Sequence, residues 1–248
     1  MTAVYLVLGL PGAGRHEVVG NLIGGALPDA TGVAVWHPTN EPPTVGLEPK
    51  TPIQRLPYSF QSGAFIPTSQ DESGREPEAV FFLTDGRASV IDQIEAFPAW
   101  LSSHGWELAR ILLVVDCTLA AAHPQVTEWH DACVHFSDVV LLNRREALSL
   151  KWAEQYQKKY AALRYPCLFI PVKKGRVDNS LLVLFPEPRR MSLTFDDIDP
   201  VDELDLDEEN LPEEPFTLEN KVDPYFEKLL SGHRCKQVPD VNAFLPKD

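Results

Sequence analysis

Eight residues near the N-terminus, Gly9-Leu10-Pro11-Gly12-Ala13-Gly14-Arg15-His16, set spaced glycines beside a cation in a pattern suited to anion chemistry. The backbone N–H groups of such a turn, continued by a helix N-terminus, can surround a phosphate. Phosphate-transfer loops place Lys at the next-to-last position and Ser or Thr, a magnesium ligand, at the last. Here those positions are Arg15 and His16. A guanidinium keeps the charge but spreads it over a wide planar fork. An imidazole is a poor ligand for magnesium, a hard cation that prefers oxygen. The pattern therefore retains phosphate binding and does not support magnesium-dependent hydrolysis. The plainer alternative is a strand-to-helix turn that binds nothing.

No other stretch carries a comparable pattern. His130 and Cys133 lie at i, i+3, with His123, Asp131 and His135 nearby, and metals use such spacings. The simpler reading is a surface helix with polar histidines and one semi-buried thiol, so no metal ligand is assigned. The four cysteines, Cys117, Cys133, Cys167 and Cys235, form no C-x-x-C pair, which argues against a zinc knuckle or a stapled secreted fold. There is no G-x-S-x-G elbow, and no catalytic residue is assigned.

The elements that must position the loop follow from apolar patterning. Ala3 to Leu8 reads as a strand entering the loop, and Glu17 to Ile23 as the helix leaving it. A strand is expected near Val33, then irregular structure from Thr39 to Glu78, a stretch rich in Pro, Gly, Ser and Thr. Ala79 to Thr84 reads as a buried strand ending at Asp85-Gly86. A helix over Ser89 to His104 should be kinked or divided at Pro98. Further strands are expected at 110–116, 138–143 and 167–172, and a last one at Leu181 to Phe185. Helices are expected at 125–136 and 145–163. Continuous apolar strands alternating with helices imply an α/β fold: a doubly wound, mostly parallel sheet of P-loop NTPase type.

The chain has 248 residues, 44% of them hydrophobic, enough for one domain with an appendage. We divide it into a P-loop NTPase-like domain, 1–190, and an acidic linker with a short C-terminal tail, 191–248. The net charge is −14, and Asp196 to Pro215 holds eleven acidic residues without a Lys or Arg. That extension is expected to be irregular, with a short helix over Asp223 to Ser231. The remainder is nearly neutral and lacks the basic stripe of a nucleic-acid binder. No apolar run approaches the ~20 residues that cross a bilayer, so a cytoplasmic protein without membrane partners is expected.

The order of these pieces resembles the CobW-type P-loop GTPases, a family associated with metallochaperone and cofactor-maturation roles. Gly9, Gly12, Ala13 and Gly14 match its G-x-x-G-A-G-K-T loop, with Arg15 and His16 replacing Lys and Thr. Ser62 to Pro67 lies where the family has G-C-x-C-C, with Ala64, Phe65 and Pro67 at the three Cys positions. Leu83-Thr84-Asp85-Gly86 resembles the E-x-x-G switch segment, with Leu83 at the Glu position and Gly86 retained. Asn143-Arg144-Arg145-Glu146 resembles the guanine-reading N-K-x-D, with Glu146 for Asp.

The resemblance implies a guanine-nucleotide (GTP) site in which Gly9, Gly12, Ala13, Gly14, Arg15 and His16 face phosphate. Asn143 and Glu146 would read the base, and Asp85 and Gly86 would form a vestigial switch. With both magnesium positions altered, little or no hydrolysis is implied. The alternative is a pseudo-GTPase, a scaffold that meets a protein partner through its acidic segment.

Overall fold

A computed structural model describes residues 2–41, 50–69, 75–196 and 222–245 of the chain. Nine strands form one sheet: β1 (Ala3–Gly9), β2 (Val33–Pro38), β3 (Ile53–Gln61), β4 (Ala64–Pro67), β5 (Ala79–Leu83), β6 (Glu107–Asp116), β7 (Val139–Asn143), β8 (Leu168–Lys173) and β9 (Arg176–Val177). Their order is β4-β3-β2-β5-β1-β6-β7-β8-β9. Every pairing is parallel except β3 with β4 and β8 with β9, at the two borders. β1 lies between β5 and β6, so the glycine turn leaves the sheet at its centre beside Thr84-Asp85-Gly86.

β5 and β7 are buried at every position, as strands covered on both faces must be. One face is covered by α1 (Arg15–Ala26) and α6 (Ser180–Leu184): Val18, Val19, Leu22 and Ile23 pack with Val7, Val35, Phe81, Val114 and Val183. On the other face, Phe97 and Trp100 of α2 (Val90–His104) close on Phe82, ring centroids 5.1 and 4.6 Å apart. The connections continue through α3 (Cys117–Ala122), α4 (Pro124–Phe136) and α5 (Leu150–Ala162). The molecule is a doubly wound, mostly parallel α/β sheet in which the central strand β1 leads through the glycine turn into α1.

Four local expectations are corrected. Residues 39–78 are not uniformly irregular, because β3 and β4 lie within them. Pro57 inside β3 disguises that strand as a breaker, yet it is tolerated near the border of the sheet. Leu181 to Phe185 is the helix α6, not a strand: Asn179 Oδ1 accepts from Leu182 N at 3.0 Å and caps it. A five-residue apolar run does not separate the two by period. Of the two outcomes expected at Pro98, a kink or a division, division does not occur: α2 runs unbroken from Val90 to His104. Because its ring removes one helix hydrogen bond, Pro98→Ala should raise the unfolding free energy by about 1–2 kcal/mol, read as a higher melting temperature. Finally, α5 begins at Leu150, where the Ser149 hydroxyl accepts from Trp152 N, rather than at Arg145.

The chain forms two compact units, residues 1–191 with 238–248, and residues 192–237. In the second, the expected helix over Asp223 to Ser231 is replaced by turns and an isolated bridge between Lys228 and Arg234. Gly232, at φ 84°, makes the return that a helix could not. Lys236 Nζ lies 3.9 Å from the Tyr225 ring centroid. Apart from Asp196, the acidic segment 196–215 lies outside the described residues.

Candidate functional site

The loop between β1 and α1 is shaped by close approaches. A Cβ on Gly9, which stands at φ +144°, would lie 2.7 Å from the Val114 carbonyl oxygen. On Gly14, at φ +84°, it would lie 2.5 Å from Asn143 Nδ2. Both positions combine a backbone conformation that strains an L side chain with an approach closer than a Cβ tolerates, so both suit glycine. Gly12 also has positive φ, at 81°. Gly14 caps α1 in a left-handed conformation, and no side chain caps the first turn. The first amides of a helix have no partner within it and suit an anion, while the Ala13 amide ahead of them donates to the Leu10 carbonyl at 3.1 Å.

The side chains around this cradle tell a different story. Arg15 has a fully buried side chain; its Nη1 donates to the Thr84 carbonyl and its Nη2 pairs with Glu41 Oε2. Its stem crosses Gly9, with Cδ at 3.0 Å from the place of a Cβ there. The cation that sequence reading assigned to phosphate is therefore held by a carboxylate of this chain. Beside it, neither ring nitrogen of His16 has a hydrogen-bond partner among the described residues. Burial, then the Arg15 guanidinium and His37, push His16 down to about 4. Its ring meets His37 edge to face, at 5.8 Å. A neutral, enclosed imidazole does not fit magnesium.

Asp85 is engaged within the chain. Its Oδ1 accepts from Arg87 N at 2.9 Å and its Oδ2 from Asn40 Nδ2 at 3.2 Å. Gly86 presses on the loop, so that a Cβ there would be 2.6 Å from both the Gly9 carbonyl oxygen and Pro11 Cδ. The strand end and the glycine turn are in direct contact.

At the other end of the site, Asn143 Nδ2 donates to the Ala13 carbonyl at 2.8 Å, joining the end of β7 to the loop. Glu146 is exposed and accepts from Lys174 N at 3.2 Å. Hydrogen bonds from its own and the Lys174 backbone amide hold its carboxyl below the usual range. Arg144 turns away at φ 53°, with Nη1 3.4 Å from Asp116 Oδ2. Glu17, in the first turn of α1, places Oε2 at 3.6 Å from a Cβ on Gly14 and 3.2 Å from one on Gly175. A second carboxylate thus stands at the rim of the cradle.

The structure therefore brings Gly9, Gly12, Ala13, Gly14, Arg15, His16, Gly86 and Asn143 to one end of the sheet, and Asp85 beside them. Glu146 faces outward over the loop at Lys174. Sequence reading missed Glu41, Asn40, His37 and Glu17. Glu41 and Asn40 sit in a Pro-rich stretch without periodicity, and nothing local marks them.

His130 and Cys133 are both fully buried rather than on a surface helix. Burial, then Lys159, push His130 down to about 3, and burial raises Cys133. Among the described residues no group of three or more His, Cys, Asp or Glu is placed to hold a metal ion, and no helix is long and apolar enough to cross a membrane.

The sequence matches no known family model and no curated protein. It is similar to the solved structure of the Zn(II)-bound YjiA GTPase from E. coli, at 17% identity and a TM-score of 0.44. It is also similar to a Zn(II)-bound triple mutant of the YjiA GTPase, at 16% identity and a TM-score of 0.45. Each likeness covers 74% of this chain and 61% of the other, so this chain spans about three fifths of their length. A likeness of this size carries no statement about activity.

Proposed function

We propose that this protein is a P-loop guanine-nucleotide-binding protein that binds GTP weakly, without magnesium, and does not turn it over. The observation that carries the reading is an anion cradle kept in shape while its cation is internally neutralised. Gly9 and Gly14 adopt conformations that suit glycine, and the first turn of α1 has no side-chain cap. Arg15 is paired with Glu41.

In this reading the loop amides and the N-terminus of α1 receive the phosphates. Arg15 exchanges Glu41 for a phosphate oxygen. Asn143 holds the loop against β7, and the Glu146 carboxylate accepts from the guanine edge. The residues at the magnesium positions do not suit that ion, so no step passes through it. Phosphoryl transfer is mostly positioning and charge neutralisation, and a carboxylate competing for Arg15 opposes both. The reading carries with it a cytoplasmic setting, where GTP is available.

Equilibrium titration with fluorescently labelled GTP, with and without magnesium, tests this. Saturable binding that magnesium leaves unchanged is expected. Glu41→Gln keeps an acceptor for Arg15 but removes the competing charge, and should tighten binding about tenfold, or ~1.4 kcal/mol. The pair Arg15→Lys with His16→Thr should make binding magnesium-dependent. Absence of saturable binding at high micromolar protein rejects the reading.

A second reading is favoured by the Arg15–Glu41 pair itself: a scaffold whose loop is permanently filled by its own side chains and whose acidic segment meets a protein partner. In that case none of the three proteins binds GTP.

A further inference from the structure

The C-terminal residues 238–245 return to the first unit and dock against the segment that follows β5. Val241 and Leu245 are buried, at 3% and 6% exposure. Between them Asn242–Phe244 forms a 3-10 turn, closed by Phe244 N donating to the Val241 carbonyl and Leu245 N to the Asn242 carbonyl. Phe244 stacks on His123 with ring centroids 4.4 Å apart. Asn242 Nδ2 donates to the Arg87 carbonyl at 3.0 Å. A hollow of about 290 Å³ is lined by Val238–Asn242, the segment Gly86–Val90 and Trp129.

Those contacts lead back to the phosphate loop. Arg87 N donates to Asp85 Oδ1, and Asp85 Oδ2 accepts from Asn40. Asn40 precedes Glu41, which holds Arg15. Gly86, between the two ends of this relay, lies against Gly9 and Pro11. One chain of contacts therefore runs from the buried cation of the loop to the tail.

We propose that the C-terminal segment Val238–Leu245 is a latch on the segment Asp85–Ser89, and that its docking and anion occupancy of the glycine loop oppose each other. An anion that takes Arg15 from Glu41 shifts residues 40–41, loosens Asp85 and weakens the hold of Arg87 on Asn242. By linkage, a docked tail lowers affinity for the anion by the same factor by which the anion loosens the tail. The anion half of this proposal rests on the nucleotide reading; the relay from Asn40 to the tail does not. Contact alone is no proof of coupling, so the test perturbs one end and reads the other.

Hydrogen exchange of the full chain, followed on peptides covering 238–245, supplies the readout. Asn242→Ala should speed exchange of the tail amides two- to tenfold, the range that loss of one modest hydrogen bond supports. Asn40→Ala, an exposed position that does not touch the tail, should speed the same amides at least twofold. Unchanged tail exchange in Asn40→Ala overturns the latch. Saturating GTP should speed tail exchange in the wild type, and Asn242→Ala should bind labelled GTP more tightly by the same factor. If GTP binds and tail exchange does not respond, the latch is overturned. If GTP binds none of the variants, the nucleotide reading fails, and the Asn40→Ala result alone decides whether the relay exists.

Discussion

Replacing Asp138 by Ala is expected to lower the free energy of unfolding by about 3–5 kcal/mol, the cost of removing one side of a buried ion pair. Asp138 is fully buried, and both of its oxygens are used. Oδ2 accepts from Ile111 N at 2.7 Å and lies 3.1 Å from Arg190 Nη1, while Oδ1 accepts from Arg189 N at 2.6 Å. The carboxylate therefore ties β6 to the segment after α6 just ahead of β7. With Ala, the Ile111 amide would face a methyl group inside the protein, and burying an unsatisfied donor is costly. Asp138→Asn, which keeps an acceptor but loses the charge, should lose about half as much. Urea unfolding checks both: the midpoint should fall while the slope is unchanged.

Gly9→Ala should cost about 2–4 kcal/mol of stability, combining backbone strain with a clash against atoms that have no room to move. It should also bring labelled-GTP binding below detection. The obstructing atom is the Val114 carbonyl oxygen at 2.7 Å, part of β6 and held by the β1–β6 pairing in which Gly9 stands opposite Val114. The other neighbour is Arg15 Cδ, at 3.0 Å. Relief therefore means moving either the sheet or the buried Arg15 side chain, and both disturb the cradle. Gly32→Ala is the matched control: a Cβ there meets nothing within 4 Å, and stability should change by no more than about 0.5 kcal/mol. Thermal unfolding of the two variants, paired with the GTP titration, distinguishes loss of the cradle from loss of the fold.

Asp138 stands just ahead of β7, whereas Gly9 ends β1, so the two replacements probe opposite ends of the parallel strands. The glycine turn, the end of β5 and the end of β7 meet at the carboxyl ends of three strands, where open α/β sheets form their crevices. The groups lining that crevice are mutually engaged: Arg15 with Glu41, Asp85 with Asn40, Asn143 with Ala13. The most exposed of these links is the one between Asn40 and Asp85.

The residues alone determined the strand–turn–helix unit at Ala3 to Ile23, the parallel sheet and the glycine positions. These are local matters: apolar period sets burial, and a positive φ admits little besides glycine. They did not determine the partner of Arg15. A cation at that position reads as a phosphate ligand until a carboxylate 26 residues away is seen beside it, and a charge taken into a buried site must find its counter-ion wherever the fold brings one. His130 and Cys133 likewise read as a polar helix face but lie in the core, because which face is covered depends on the neighbouring elements, and α6 reads as a strand until its cap at Asn179 is in place. Pattern fixed which elements exist, whereas tertiary packing decided which charges meet, because ion pairs depend on proximity in space rather than on spacing along the chain.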